Sequence, residues 1–334
     1  MGYTGWSDDF YKARETERER TGKSAFVHHE EMKSRPSYER KVHEGMNPFG
    51  VNRESRDSET NPESLAIMVP FDHTGSMGGI PLVLQKKLNK LMGMLTTKGY
   101  VQYPQVMFGA IGDANYDKAP VQVGQFESGI EMDDDLGKLM LEGGGGPYGQ
   151  ESYELMMYFA ARHTQIDCME KRGKKGYLFL IGDEEPYPKL PASLIRNIFG
   201  DELGQDIPVE KIVDEVRQKY NVFFVIPTGA HGGANCTIYN RWVKLLGQEY
   251  VLQLENPDTV CEAIALAIGL HEGMVDLDGA VSDLAEYGID RKTAGDLSRA
   301  LVKVADNAFV EAVVKGGLVK RGKRTEKRAV RLLE

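Results

Sequence analysis

Residues 65–76, LAIMVPF followed by DHTGS, set an unbroken apolar run against a polar turn. A run that is apolar on both faces suits a strand buried from both sides, as in a parallel sheet. Beyond this turn, Ile80 to Leu95 carries Leu82, Leu84, Leu88, Leu91, Met92 and Leu95 at helical spacing. Further apolar runs follow at QVMFGAIGD (105–113), KGYLFLIGDEE (175–185), NVFFVIPTG (221–229) and YVLQL (250–254). VQVGQF (121–126) alternates like an edge strand. Helical stretches are expected from about Gln150 to Asp167, at SLIRNIF and VEKIVDEVRQKY within 190–219, and at DTVCEAIALAIGL (258–270). Strands alternating with helices predict a doubly wound α/β fold, with a mostly parallel sheet covered on both faces. Right-handed crossovers then bring every parallel strand's C-terminal end to one edge, where ligands bind at the topological switch point.

The flanks differ in texture. Residues 1–64 are polar and charge-dense, with single apolar residues such as Trp6, Phe10, Tyr11, Phe26 and Phe49. They are expected to form an arm ordered by whatever it lies against, either the main domain or another subunit in a homo-oligomer. Residues 65–273 form the main domain. Residues 274–334 are helical, with an apolar stripe at Ala294, Leu297, Leu301, Val304, Ala308, Val310 and Val314 and a basic tail at 320–331. The stripe is a packing face.

Composition narrows the class. The 334 residues carry a formal charge of −9, which argues against nucleic acid as a partner of the body. The basic tail lacks the interleaved aromatics that stack on bases. No apolar run is long enough to span a bilayer, and the first residues lack a secretory pattern. Three scattered cysteines make neither a disulfide framework nor a zinc ribbon. The expectation is a cytoplasmic protein, or a component of a phage particle if the chain is phage-encoded.

Three polar clusters follow buried strands. Asp72, Thr74 and Ser76 occupy alternate positions of one turn, offering hard oxygens suited to Mg²⁺ or Ca²⁺. The same residue types also cap helices. Asp183 is the first polar group beyond YLFLIG, whereas Glu184 and Glu185 are expected in a solvated loop. Gly143–Gly146 precede Pro147-Tyr148-Gly149-Gln150-Glu151-Ser152, a loop whose glycines allow close backbone approach; no GxxxxGK[ST] accompanies them. Asp113 ends a neighbouring strand, placed to ligate an ion, to act through water or to cap a loop. His231 and Asn235 follow the next strand, and a lone loop histidine is more often a surface residue.

In this order, the clusters resemble a von Willebrand factor type A (vWA) domain with a metal-ion-dependent adhesion site (MIDAS). The family signature is Asp-x-Ser/Thr-x-Ser after the first strand, a Gly-Gly-Thr-type loop and Asp-Gly after the fourth strand. Asp72, Thr74 and Ser76 match the first element, and Asp183 matches the last, with glycine before it instead of after. The middle element departs: GGGGPYGQES has no threonine. Its replacement is a main-chain carbonyl such as that of Gly146, Glu151, Ser152 or water.

The resemblance implies a cofactor, Mg²⁺ (or Ca²⁺/Mn²⁺), held directly by Thr74 and Ser76, with Asp72 and Asp183 supplying charge and orientation. It also implies a protein partner presenting an acidic side chain to the ion, and work beside a MoxR-type AAA+ ATPase or within a larger assembly. A structural protein with a vestigial site is the alternative. Catalysis is not expected: no HExxH or Ser/His/Asp set appears at motif spacing, and Thr74 stands where a DxDx[TV] phosphoryl-transfer motif needs aspartate.

Overall fold

In the computed structural model, residues 5–228 and 236–314 are described, with side chains to 307. Six of the strands build one sheet: β1 (Leu65–Asp72), β2 (Pro104–Ile111), β3 (Val121–Val123), β4 (Gly176–Ile181), β5 (Tyr220–Pro227) and β6 (Val251–Leu254). Their spatial order is β6-β5-β4-β1-β2-β3. All pairs are parallel except β2–β3. The chain moves outward from β1 through β2 to β3, then returns to the other side of β1 for β4. The switch point therefore falls between β1 and β4. Phe71 pairs in register with Ile181, so the residues after both strands emerge side by side.

The apolar runs are continuous because both faces are covered. In β5, Phe224 stacks on Trp242 and meets Tyr153 edge-on, while its neighbour Phe223 faces His271. Successive side chains of a strand point to opposite faces, so these contacts define two helical layers. One layer contains Tyr153–Arg162, Val209–Lys219 and Cys236–Leu246; the other contains Leu88–Thr96, Val260–His271 and the C-terminal helices Leu277–Glu286 and Arg291–Val314. This is the doubly wound α/β architecture expected from the sequence. Strand β3 is the edge, yet its three residues are buried. Gln122 exchanges side-chain hydrogen bonds with the main chain of Met140, covering an edge that would otherwise invite pairing.

Two expected helices differ. The 80–95 period is split into Ile80–Lys86 and Leu88–Thr96, because Lys87 leaves helical geometry (φ −107°, ψ 13°) and its ammonium reaches Glu262. The helix expected from Gln150 begins at Tyr153 and ends at Arg162. Gln150–Glu151 is instead a short strand parallel to Glu185–Pro186, a pairing invisible to local periodicity.

The arm lies on its own chain. Tyr11 is buried and donates to the Gln85 carbonyl at 2.6 Å, while Phe26 and Met46 join the main core. Arg14 and Arg18 both reach buried Asp133. Arg53–Ser55 pairs in parallel with Thr164–Ile166. Phe10, Val27 and Phe49 remain exposed. In the C-terminal segment Ala294, Leu297, Leu301 and Val304 are buried, as the stripe predicts. The side chains of Ala308, Val310 and Val314, the tail at 320–331, His231 and Asn235 lie outside the described residues. Among the described residues no helix is long and apolar enough to cross a membrane.

Candidate functional site

The three polar clusters meet at the C-terminal edge of β1, β2 and β4. Asp72, the last residue of β1, is fully buried. Its Oδ1 accepts the Thr74 amide at 2.7 Å, which tightens the turn, and its Oδ2 accepts the Tyr153 hydroxyl at 3.0 Å. Thr74 Oγ1 lies 3.2 Å from Ser76 Oγ, and Ser76 Oγ donates to Asp183 Oδ1 at 2.9 Å. Two hydroxyls and a carboxylate thus converge from adjacent strands.

Capping does not account for these hydroxyls. The 3₁₀ turn Gly75–Met77 has no side-chain cap, and helix Ile80–Lys86 starts at Gly79 without one. His73 plays a different part. Its Nδ1 accepts the Glu142 amide and its Nε2 meets the Ala119 carbonyl, tying the turn to the wall of the cleft.

The glycine-rich loop closes over this turn. Gly144 O accepts the Gly75 amide at 3.3 Å. Gly145 has a φ of +102°, and a Cβ there would stand 3.0 Å from Glu151 Oε1 and 3.3 Å from Thr74 Cβ. Only glycine meets both demands. Gly146 presses against Asp113, whose Oδ2 would lie 2.5 Å from an added Cβ. Asp113 is buried and accepts the Asn115 amide and the Tyr187 hydroxyl, so it does cap its loop. Ser152 is committed to structure, with its Oγ accepting the Ala114 amide and its own amide on Gly112 O.

Glu151 is 1% exposed, and its Oε2 has no hydrogen-bond partner. Burial, reinforced by Asp72, Glu184, Asp113 and Asp117, pushes its carboxyl up to about 10. Asp72 is raised to about 7, chiefly by burial, with Asp183 adding to it. Glu184 is also raised to about 7 by burial and by Asp183 and Asp113. It is half-buried with a partnerless Oε2, so the solvated loop expected at this position is corrected. The strand Gln150–Glu151 draws Glu185–Pro186 inward, and Glu184 follows.

The charged neighbours that weigh most on Glu151 are acidic. Like charges gathered in a low-dielectric cleft disfavour ionisation unless a cation joins them. The donors are hard oxygens throughout, the set that suits Mg²⁺, Mn²⁺ or Ca²⁺. Among the described residues no three His, Cys, Asp or Glu side chains already stand in a metal-holding group. A site here therefore depends on the Thr74 and Ser76 hydroxyls as much as on carboxylates.

Three side chains of the site escaped the sequence reading: Tyr153, Glu154 and Tyr187. Glu154 is buried, with Oε2 accepting the Tyr187 amide, and burial holds its carboxyl well above the usual range. Adjacency to Ser152 was the available signal for Tyr153. Nothing local marks Tyr187.

No family model and no curated protein matches the chain. Among solved structures, the pilus adhesin SpaC from Lactobacillus rhamnosus GG (open conformation) is similar at a TM-score of 0.43 and 9% identity, over 68% of this chain and 33% of that one. Proximal thread matrix protein 1 from the mussel byssus (crystal form 2) is similar at a TM-score of 0.39 and 12% identity, over 61% of this chain and 47% of that one. The chain thus spans less than half the length of either. Neither likeness says what this chain binds.

Proposed function

We propose that this chain is a non-enzymatic protein-interaction module of the vWA type, dependent on a divalent cation. The observation that supports it best is the convergence of Thr74, Ser76 and Asp183 at the switch point, with hydroxyls that cap no helix. Thr74 and Ser76 would hold the ion directly, and Asp72 and Asp183 would supply charge and orient the hydroxyls. When bound, the ion supplies a Lewis-acidic position that takes a carboxylate from a partner protein. Tyr153 fixes Asp72 from below, and the glycine-rich loop leaves the Gly75–Ser76 side open to solvent. A MoxR-type AAA+ ATPase or a larger assembly is the partner context that the family resemblance carries.

The second reading is an assembly protein with a vestigial site, favoured by the missing threonine of the glycine-rich loop. Two measurements separate them. Isothermal titration with MgCl₂ and MnCl₂ should give saturable binding that Asp72→Ala abolishes in a folded protein; equal affinity in the variant would sink the assignment. A tagged pull-down in Mg²⁺ and in EDTA should retain a partner only with Mg²⁺. Identical eluates in both buffers would favour the assembly reading.

A further inference from the structure

We infer that Glu151 is itself a ligand of the cation, placing a carboxylate where the resembled family uses a neutral threonine hydroxyl. This rests on the cation site proposed above and adds a residue to it.

The candidate replacements differ in their surroundings. Ser152 Oγ already accepts the Ala114 amide, and its own amide is bonded to Gly112. A Cβ on Gly146 would meet Asp113 and the Tyr116 ring, so the loop is packed tightly there. Glu151 differs from both in holding a buried oxygen without a partner, and its position is fixed from three sides. Its backbone pairs with Pro186 in the short parallel strand, the next residue is tied to Gly112, and Gly145 sits over its carboxylate. A single point above Gly145 is within contact of Glu151 Oε1 and of the Cβ and methyl of Thr74, so the carboxylate lies beside the Thr74 side chain.

The second observation is independent of that placement. Glu151 Oε2 is buried with no hydrogen-bond partner, and Asp72, Glu184, Asp113 and Asp117 surround it with acidic groups. Buried polar atoms in folded proteins nearly always have partners, and an exception calls for an ion or water. A divalent cation between Glu151 and the Thr74–Ser76–Asp183 chain satisfies the orphaned oxygen and offsets the clustered charge. With Glu151 in place of threonine, the ion is held by one more negative charge. A partner's carboxylate must then approach a site already richer in anions.

The test uses the full chain and two probes. Titration with MnCl₂ compares wild type, Glu151→Gln and Asp183→Asn, each checked by circular dichroism for the native fold. Glu151→Gln should weaken Mn²⁺ binding about 10- to 100-fold. Tb³⁺ luminescence lifetimes in H₂O and D₂O count the waters on a bound ion, and Glu151→Ala should show one more than wild type. Should Glu151→Gln misfold, Glu151→Asp keeps the charge, shortens the reach and should also weaken Mn²⁺. Unchanged Mn²⁺ affinity in the Glu151 variants, or an unchanged water count in Glu151→Ala, overturns the assignment; if Asp183→Asn loses binding at the same time, the cation site survives without Glu151. Absence of Mn²⁺ binding by wild type removes both.

Discussion

Ser76 Oγ donates to Asp183 Oδ1 at 2.9 Å, joining the turn after β1 to the loop after β4 across the switch point. The two residues are 107 positions apart in sequence and become neighbours because Phe71 and Ile181 are paired in the sheet. If they share an ion, metal must stabilise the fold by linkage. At a concentration 100 times Kd the gain is about 2.7 kcal/mol. Wild type should therefore melt several degrees higher in saturating MgCl₂ than in EDTA. Ser76→Ala should keep only part of that shift and Asp183→Asn none, measured by differential scanning calorimetry. A full shift in Asp183→Asn would count against the shared ion.

The buried acids predict how the metal-free protein responds to pH. Asp72 and Glu184 are both raised to about 7 in the fold, burial being the main cause. In the unfolded chain such groups titrate near 4. The folded state thus binds more protons between these values, and stability falls as pH rises. The contribution is complete below about pH 4 and is lost as pH passes through about 7. Urea midpoints in EDTA should decrease across this window, and Mg²⁺ should flatten the decrease by pairing with the ionised carboxylates. A metal-free midpoint that rises between pH 5 and 7 would contradict the environment assigned to these two acids.

Support beneath the site is testable without metal. A Cβ on Gly182 would fall 1.9 Å from the Tyr153 hydroxyl, which is itself held by Asp72 and packed against Trp242. Gly182→Ala should cost about 1–3 kcal/mol through overpacking. Tyr153→Phe removes the donor to Asp72 Oδ2 and should cost a similar amount, about 1–3 kcal/mol, by leaving a buried acceptor unpaired. Chemical denaturation measures both. If the clash and the hydrogen bond share one hydroxyl, the double variant should cost less than the sum.

How much of this was legible follows from what is local. The apolar runs at 65–71, 105–113, 175–185 and 221–229 announced buried strands because both faces are covered, and their polar ends announced the edge where Asp72, Asp113 and Asp183 gather. Non-local pairing was not legible. Gln150–Glu151 carries no strand pattern and takes strand form only because Glu185–Pro186 lies beside it. That pairing turned Glu184 into the cleft and placed Tyr187 over Asp113. Capping and ion binding call for the same residue types, so the sequence could not separate them for Thr74 and Ser76. In the structure neither following helix has a side-chain cap, so capping does not explain the two hydroxyls.

The arm offers the last prediction. Its sparse apolar residues suited docking on either the same chain or a second one, and Tyr11 settles into the chain's own core with its hydroxyl on Gln85. Arg18 meets Asp133 Oδ2, and Gln85 donates to Asp133 Oδ1, so one buried acid links the arm to helix Ile80–Lys86. Tyr11→Ala should cost about 3–5 kcal/mol, the usual loss for a buried aromatic. A double-mutant cycle on Arg18 and Asp133 should give a coupling of about 0.5–3 kcal/mol. Because the contact lies within one chain, neither value should depend on protein concentration. A melting temperature that rises with concentration in wild type and no longer does in Tyr11→Ala would mean that in solution the arm docks on a neighbouring subunit.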